Sequence, residues 1–230
     1  MMSKSLEKWL ISDELWSRIE PLLPARKVHP LGCHRPRVND RAAMNAIFFV
    51  LRTGCQWNAL NVTGLCTSSS AHRRFQEWQK AGVFERLWHE VLEEYDDRVG
   101  LDWRWLSADG ATTKAPLCGK KTGRNPTDRG KLGVKRSLLS EARGVPVALV
   151  IAGANRHDLP LLEHTLESIP PRLEVRRQRL LRRARAKGLT QSQNLCLDKG
   201  FDSAKAQRIA QEFGLCPHIR SRGEETLQKQ

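Results

Sequence analysis

The sequence has no run of eighteen apolar residues anywhere in its 230 positions, so no stretch of it could cross a bilayer as a helix. It lacks an apolar signal core as well. Met1-Met2-Ser3-Lys4-Ser5-Leu6-Glu7-Lys8 leads into a polar stretch, and a cytoplasmic location is expected. No Cys-x-x-Cys pair exists among Cys33, Cys55, Cys66, Cys118, Cys196 and Cys216, and Cys33-His34 with Cys55, Cys66 and His72 fits no finger spacing. That argues against a zinc site and leaves reduced thiols as the better account. There are no internal repeats. Acid is scarce: 25 Asp and Glu stand against 39 Lys and Arg, a net charge of +14 with a pI near 10.0. A surplus of that size attracts polyanions, because each neutralised phosphate releases a condensed counterion. Nucleic acid is the first candidate partner; a solvated basic face is the alternative.

Two regions differ in pattern, at 1–98 and 99–230. The first reads as helical. Ser12 is placed to cap a helix over 13–23, with Leu15, Trp16, Ile19, Leu22 and Leu23 as its stripe and Pro24 as its stop. After a Pro/Gly/basic loop at 25–38, a second helix is expected over 40–53, closed by Gly54. Ser68-Ser69-Ser70 offers a cap for a third helix to about Ala81, and a fourth over 83–95 carries an apolar stripe that reads as core. The third helix presents His72, Arg73 and Arg74 at its start. This suits a helix-turn-helix reader of DNA, and equally an ordinary helical bundle with a basic face.

From residue 99 strands take over, giving an α/β (α+β) reading overall. The segment 103–109 alternates and ends at Asp109-Gly110. A basic loop follows, with Lys114, Lys120, Lys121, Arg124, Arg129, Lys131, Lys135 and Arg136; then a β-hairpin over 137–152 and a helix over 159–169. Residues 172–187 hold eight basic residues and one acid, either a solvated helix or a polyanion contact. A strand ending in Asp198-Lys199-Gly200, a helix over 203–213 and a strand over 215–219 complete the order.

If the first and fourth strands lie side by side, Asp109 and Asp198 meet at one sheet edge. Two close carboxylates repel unless a cation sits between them, and oxygen ligands suit Mg²⁺ or Mn²⁺. Such ions can activate a water or a 3′-hydroxyl and stabilise the leaving oxygen of a phosphodiester. Gly110 and Gly200 leave room for a phosphate. The alternative is that both aspartates cap turns.

Several long segments resemble a known family. "LSADGATTKAPLCGKKTGRNPTDRGKLGVKRSLLSEARGVPVALVIAGANRHD", "LISDELWSRIEPLLP", "NAIFFVLRTGCQWNAL", "SSSAHRRFQEWQKAGVFERLW", "CLDKGFDSAKAQRIAQEFG" and "HIRSRGEE" are similar to bacterial insertion-sequence transposases of the aspartate-aspartate-glutamate (DDE) kind, the insertion-sequence-five group. The resemblance covers nearly the whole chain, in order. It implies a ribonuclease H-like domain behind a helical DNA-binding region, and Mg²⁺-dependent (or Mn²⁺-dependent) strand cleavage and transfer. It also implies double-stranded DNA as partner, both transposon ends and target, bound by an oligomer of the chain. Neither a membrane nor a small-molecule substrate is expected. The family's first two catalytic and metal-binding aspartates fall on Asp109 and Asp198; Arg156 and His157, in "GANRHD", are expected near the DNA. Phe201 stands where tyrosine is more usual.

The family's third carboxylate follows "HIRSRGEE", on a helix with an Arg-Trp-Val-Val-Glu-Arg-like motif. The sequence up to Gln230 does not contain that motif, and Glu224 and Glu225 precede the position. The expectation is a site with two of three carboxylates, weaker metal binding, and a sheet left with exposed apolar surface. A decayed element and the first part of a frameshifted product both fit. The competing functional class is a truncated, inactive DNA-binding protein that inhibits the full enzyme.

Overall fold

The computed structural model describes residues 7–25, 37–188 and 193–220. Glu224, Glu225 and most of the 25–38 loop fall outside them. The chain divides into two compact units, 1–91 and 92–230.

The first unit is helical. Helix α1 (Asp13–Ile19) begins where the Ser12 side chain accepts from the Leu15 amide at 3.1 Å. It is shorter than the stripe predicts: Pro21 has no N–H to continue the ladder, and the chain tightens into a 3₁₀ turn, Glu20–Leu22. Helix α2 (Asp40–Thr53) runs over the predicted span, from the Asn39 cap to Gly54 in the left-handed conformation (φ 67°). Helix α3 (Ser68–Lys80) starts at the first serine, not after the cluster. Its Ser68 amide is satisfied from a distance by Asn61 Oδ1 at 2.9 Å, so the serines occupy the first turn. Helix α4 (Val83–Arg98) continues past the predicted end. Ile19, Met44, Ile47, Trp78, Val83 and Leu87 form the core of this unit, each contributing roughly 1.5–3 kcal/mol by leaving water.

The second unit is a mixed sheet with helices. Strand β1 (Trp105–Lys114) lies between antiparallel β3 (Leu132–Glu141) and parallel β5 (Gln193–Leu197). Strand β4 (Pro146–Gly153) continues beyond β3, β6 (Leu215–Ile219) beyond β5, and the two-residue β2 (Gly123–Arg124) pairs with the start of β3. Setting β2 aside, the order β4-β3-β1-β5-β6 is that of a ribonuclease H-like sheet, with the first and fourth long strands adjacent as expected. The hairpin turn at 142–145 is fixed by buried Glu141, whose carboxylate accepts from the amides of Asp102, Arg143 and Val145 at 2.8 to 3.1 Å. Helices α5 (Asp158–Glu167), α6 (Pro171–Ala186) and α7 (Ala204–Glu212, capped by Ser203) follow the hairpin and β5.

The sheet has unlike faces, because register partners share a side and successive residues alternate. Leu106, Ala108, Leu139, Ala148, Leu195, Leu197 and Leu215 are buried on one side. Helix α5 packs there through Leu161, Leu162 and Leu166, and its Thr165 hydroxyl meets Ser137 Oγ at 2.7 Å. The opposite side carries Trp105, Leu138, Leu149 and Ile151, which are 39–45 % exposed.

Candidate functional site

Asp109 and Asp198 both arise on that open face. Ala108 and Leu197 are register partners in the parallel β1–β5 ladder, and the next residue of each strand is the aspartate. Both are exposed. Each carboxylate accepts a nearby backbone amide: Gly110 N at 2.7 Å for Asp109 and Gly200 N at 3.0 Å for Asp198.

The expectation that Asp109 ends its strand is corrected. β5 stops pairing at Ala108, but β3 pairs with β1 as far as Lys114. Asp109 therefore lies within β1, at the point where one edge of that strand becomes free. Asp198 does end β5, where a 3₁₀ turn, Lys199–Phe201, begins with the Asp198 side chain as its cap. The turn-cap alternative describes Asp198 correctly and Asp109 only in part. Among the described residues, no group of three or more His, Cys, Asp or Glu side chains is gathered for a metal ion. Two hard oxygen donors side by side on an open face still suit a divalent ion held by few protein ligands and several waters.

The predicted basic residues divide into outward and inward groups. Lys114, Lys120, Lys121, Arg124, Arg129 and Lys131 are exposed on the segment around β2. Arg136 is exposed, and its register partner Ala111 lies two residues along β1 from Asp109, so it shares the open face. Arg156 and His157 are exposed just before α5. Lys135 differs: it is mostly buried and its Nζ pairs with Asp158 at 3.0 Å. Asp158 in turn stands where a Cβ on Gly110 would lie 2.6 Å from its Oδ1, so this ion pair is lodged against β1 at Gly110, on the side of the sheet that α5 covers. Sequence reasoning assigns Asp158 no role. The signal for it is an aspartate at the start of a helix, which does not reveal the lysine it meets.

Asn155 is a second unassigned residue. Its Oδ1 occupies the space a Cβ would need at Gly123 and lies 2.6 Å from where one would sit on Gly153. The side chain thus rests on two glycines, between β2 and the end of β4.

In the first unit, His72 and Arg73 are exposed on α3, with His72 edge-on to Trp57 at 5.0 Å. Arg74 is mostly buried and ion-paired with Glu77, which also pairs with Arg37 at 3.3 Å. Burial, then the neighbouring Arg37, pushes the Arg74 guanidinium below its ordinary value. The link from α2 to α3 contains a 3₁₀ helix, Trp57–Val62, and is longer than a helix-turn-helix turn, whereas Ala81-Gly82 alone joins α3 to α4.

Comparison with known proteins assigns a family to most of the chain. Residues 102–230 match the family described as "Transposase DDE domain", and residues 11–88 match one described as "Putative transposase of IS4/5 family". The chain belongs to the DDE-domain transposases. Among individual relatives it is similar to two proteins of Burkholderia cepacia. One is the "Insertion element IS402 uncharacterized 16.2 kDa protein", 37 % identical over 123 residues, covering 53 % of this chain and 84 % of that protein. The other is the "Putative transposase for insertion sequence element IS402", 33 % identical over 102 residues and 44 % of each chain. The match thus spans less than half the length of that transposase. Solved structures with some likeness include the piggyBac transposase synaptic complex with hairpin DNA, at TM-score 0.41 and 11 % identity, covering 97 % of this chain and 52 % of that one. Another is the Mos1 transposase paired-end complex with left transposon end, at TM-score 0.31 and 10 % identity, covering 88 % and 64 %. Likeness at these scores adds nothing to the topology already described. Among the described residues, no helix is long and apolar enough to cross a membrane.

Proposed function

We propose that the chain binds duplex DNA and takes part in metal-dependent cleavage and transfer of phosphodiester bonds at the ends of an insertion sequence. The observation that carries this reading is the in-register emergence of Asp109 and Asp198 from adjacent parallel strands, on the face where Leu138, Leu149 and Ile151 are exposed. Asp109 and Asp198 would hold Mg²⁺ or Mn²⁺, which supplies activation of the attacking oxygen and charge stabilisation on the leaving one.

The remaining residues hold and orient the DNA. Arg136 shares the open face with the aspartates and neutralises a backbone phosphate there. Lys114, Lys120, Lys121 and Lys131 grip the backbone on either side of β2, and Arg156 and His157 do so from the loop before α5. Asn155, seated on Gly123 and Gly153, holds the β2 segment in place. Lys135 serves by fixing Asp158 and so the loop carrying Arg156 and His157. In the helical unit, His72 and Arg73 face outward at the start of α3 for contact with duplex DNA. Arg74 supports them from within through Glu77.

The third carboxylate that the family resemblance implies has no counterpart beside the pair among the described residues. The test is Mg²⁺-dependent nicking of a duplex carrying the element's own end, with Asp109→Asn and Asp198→Asn as controls. Cleavage abolished by either substitution, with the fold retained, is the expected result. Cleavage indifferent to both would remove the pair from the chemistry.

A further inference from the structure

Helix α6 is held in place by only part of its charge. Arg172 pairs with Glu93 at 3.0 Å, and Arg176 with Asp96 and Asp97 at 3.2 and 2.7 Å. Arg177, which is 1 % exposed, pairs with Glu174 at 2.7 Å and also donates to Gln193 and to the Phe213 carbonyl. These three arginines dock the first half of the helix. In the second half, Leu181 and Ala184 are buried, while Arg179, Arg182, Arg183, Arg185 and Lys187 are all exposed. None of these five is paired with a carboxylate among the described residues.

Arg179, Arg182 and Arg183 are spaced to share the helix side opposite Leu181 and Ala184. The five cations extend over about 12 Å of axis at 1.5 Å per residue. Spacings of three and four residues bring like charges together at 179/182, 179/183, 182/185 and 183/187, which destabilises an isolated helix. A face that merely keeps a protein soluble mixes signs, and this one does not. Four of the five cations are arginines, whose planar fork matches phosphate oxygens two at a time.

We infer that the second half of α6 is a second, sequence-independent contact for the phosphate backbone of duplex DNA, separate from the aspartate pair. The bond from Arg177 to Gln193 ties the helix to the first residue of β5, the end away from Asp198. The strand between them covers on the order of 15 Å. A duplex reaching from the aspartates past that end of the sheet would pass the strand end to which this helix is tied. The inference rests on the proposal that the chain binds duplex DNA.

The test uses the full chain and a duplex of arbitrary sequence, about 30 base pairs long, with anisotropy followed across a salt series. The triple substitution Arg179→Gln, Arg182→Gln, Arg183→Gln should weaken binding at least tenfold at moderate salt. It should also lower the slope of log K against log salt by about 2 to 3, near 0.9 per lost phosphate contact. The Arg→Lys triple should keep the slope, and circular dichroism should show an unchanged fold for both. A Lys120→Gln, Lys121→Gln variant reports separately on the β2 segment. Loss of slope there but not in the α6 triple overturns the α6 contact and leaves duplex binding standing. No duplex binding by the unaltered chain overturns both. If the triple loses affinity for a single-stranded RNA of the same length and not for the duplex, the patch serves a different polyanion and the inference fails.

Discussion

The two faces of the sheet are made by the same strands and could hardly differ more. One is sealed by α5, with Leu106, Leu139 and Leu195 essentially inaccessible. The other leaves Leu138, Leu149, Ile151 and Trp105 open to solvent and carries Asp109 and Asp198 in register. The sealed face supplies stability. The open face presents carboxylates to solvent, together with apolar surface that a folded protein usually hides. In this unit, stability and proposed chemistry are separated by a single alternation of side chains along β1 and β3.

That separation can be broken most directly at two neighbouring residues of β3. Leu139→Ala on the sealed face should cost about 3 kcal/mol, by transfer and cavity terms together, whereas Leu138→Ala on the open face should cost well under about 1 kcal/mol. Urea unfolding of the two variants measures both, and equal losses would mean the faces are not distinct. Next in size is Glu174→Ala, which strands the buried Arg177 guanidinium. About 2 to 3 kcal/mol is expected, because removing one partner leaves an uncompensated charge. Burial works against ionisation of Glu174, but the bonds from Arg177 and Gln178 outweigh it and hold the carboxyl below its usual range. Calorimetric melting of this variant tests the anchoring of α6.

A smaller effect, about 1 kcal/mol, is expected for Gly133→Ala, where a Cβ would meet the Thr113 carbonyl at 3.0 Å; thermal melting reads it. Gly123→Ala should change stability less but displace Asn155, visible as a shifted side-chain amide signal in NMR spectra. The smallest effect is a pH dependence. Hydrogen bonds from Arg104 pull the Asp102 carboxyl down to about 2 from 3.8. A depressed folded-state value gives stability that is present above the unfolded value and lost as pH falls toward 2. Arg104→Gln should flatten the stability curve between roughly pH 4 and pH 2, and a carbonyl-detected titration of Asp102 would show its midpoint rise. No rise would mean that Arg104 is not the cause.

Much of this architecture can be read from local pattern. The span of α2 follows from Asn39 before it and Gly54 after it, and the hairpin from the turn residues at 141–144 between apolar runs. The existence of the strand that carries Asp109 and of the one that ends before Asp198 is legible from apolar segments followed by Asp-Gly and Asp-Lys-Gly. What escapes sequence reading depends on partners distant in sequence. β1 outruns its expected end because β3 continues to pair with it. Lys135 and Arg74 face inward because Asp158 and Glu77 meet them there, and composition cannot tell an inward lysine from an outward one. Ser68 needs no serine cap because Asn61 reaches it. The split of α6 into a docked half and a free half depends on acids near the end of α4, some eighty residues earlier in the chain.

The central claim is that Asp109 and Asp198 act as one site. Mn²⁺ affinity, measured by paramagnetic resonance on the unaltered chain, Asp109→Asn, Asp198→Asn and the double variant, tests it most directly. Each single substitution should weaken binding about tenfold or more, and the double variant should lose little beyond either, because residues serving one site are not additive. Affinity unchanged by either substitution, or losses that simply add, would contradict a shared site on the open face.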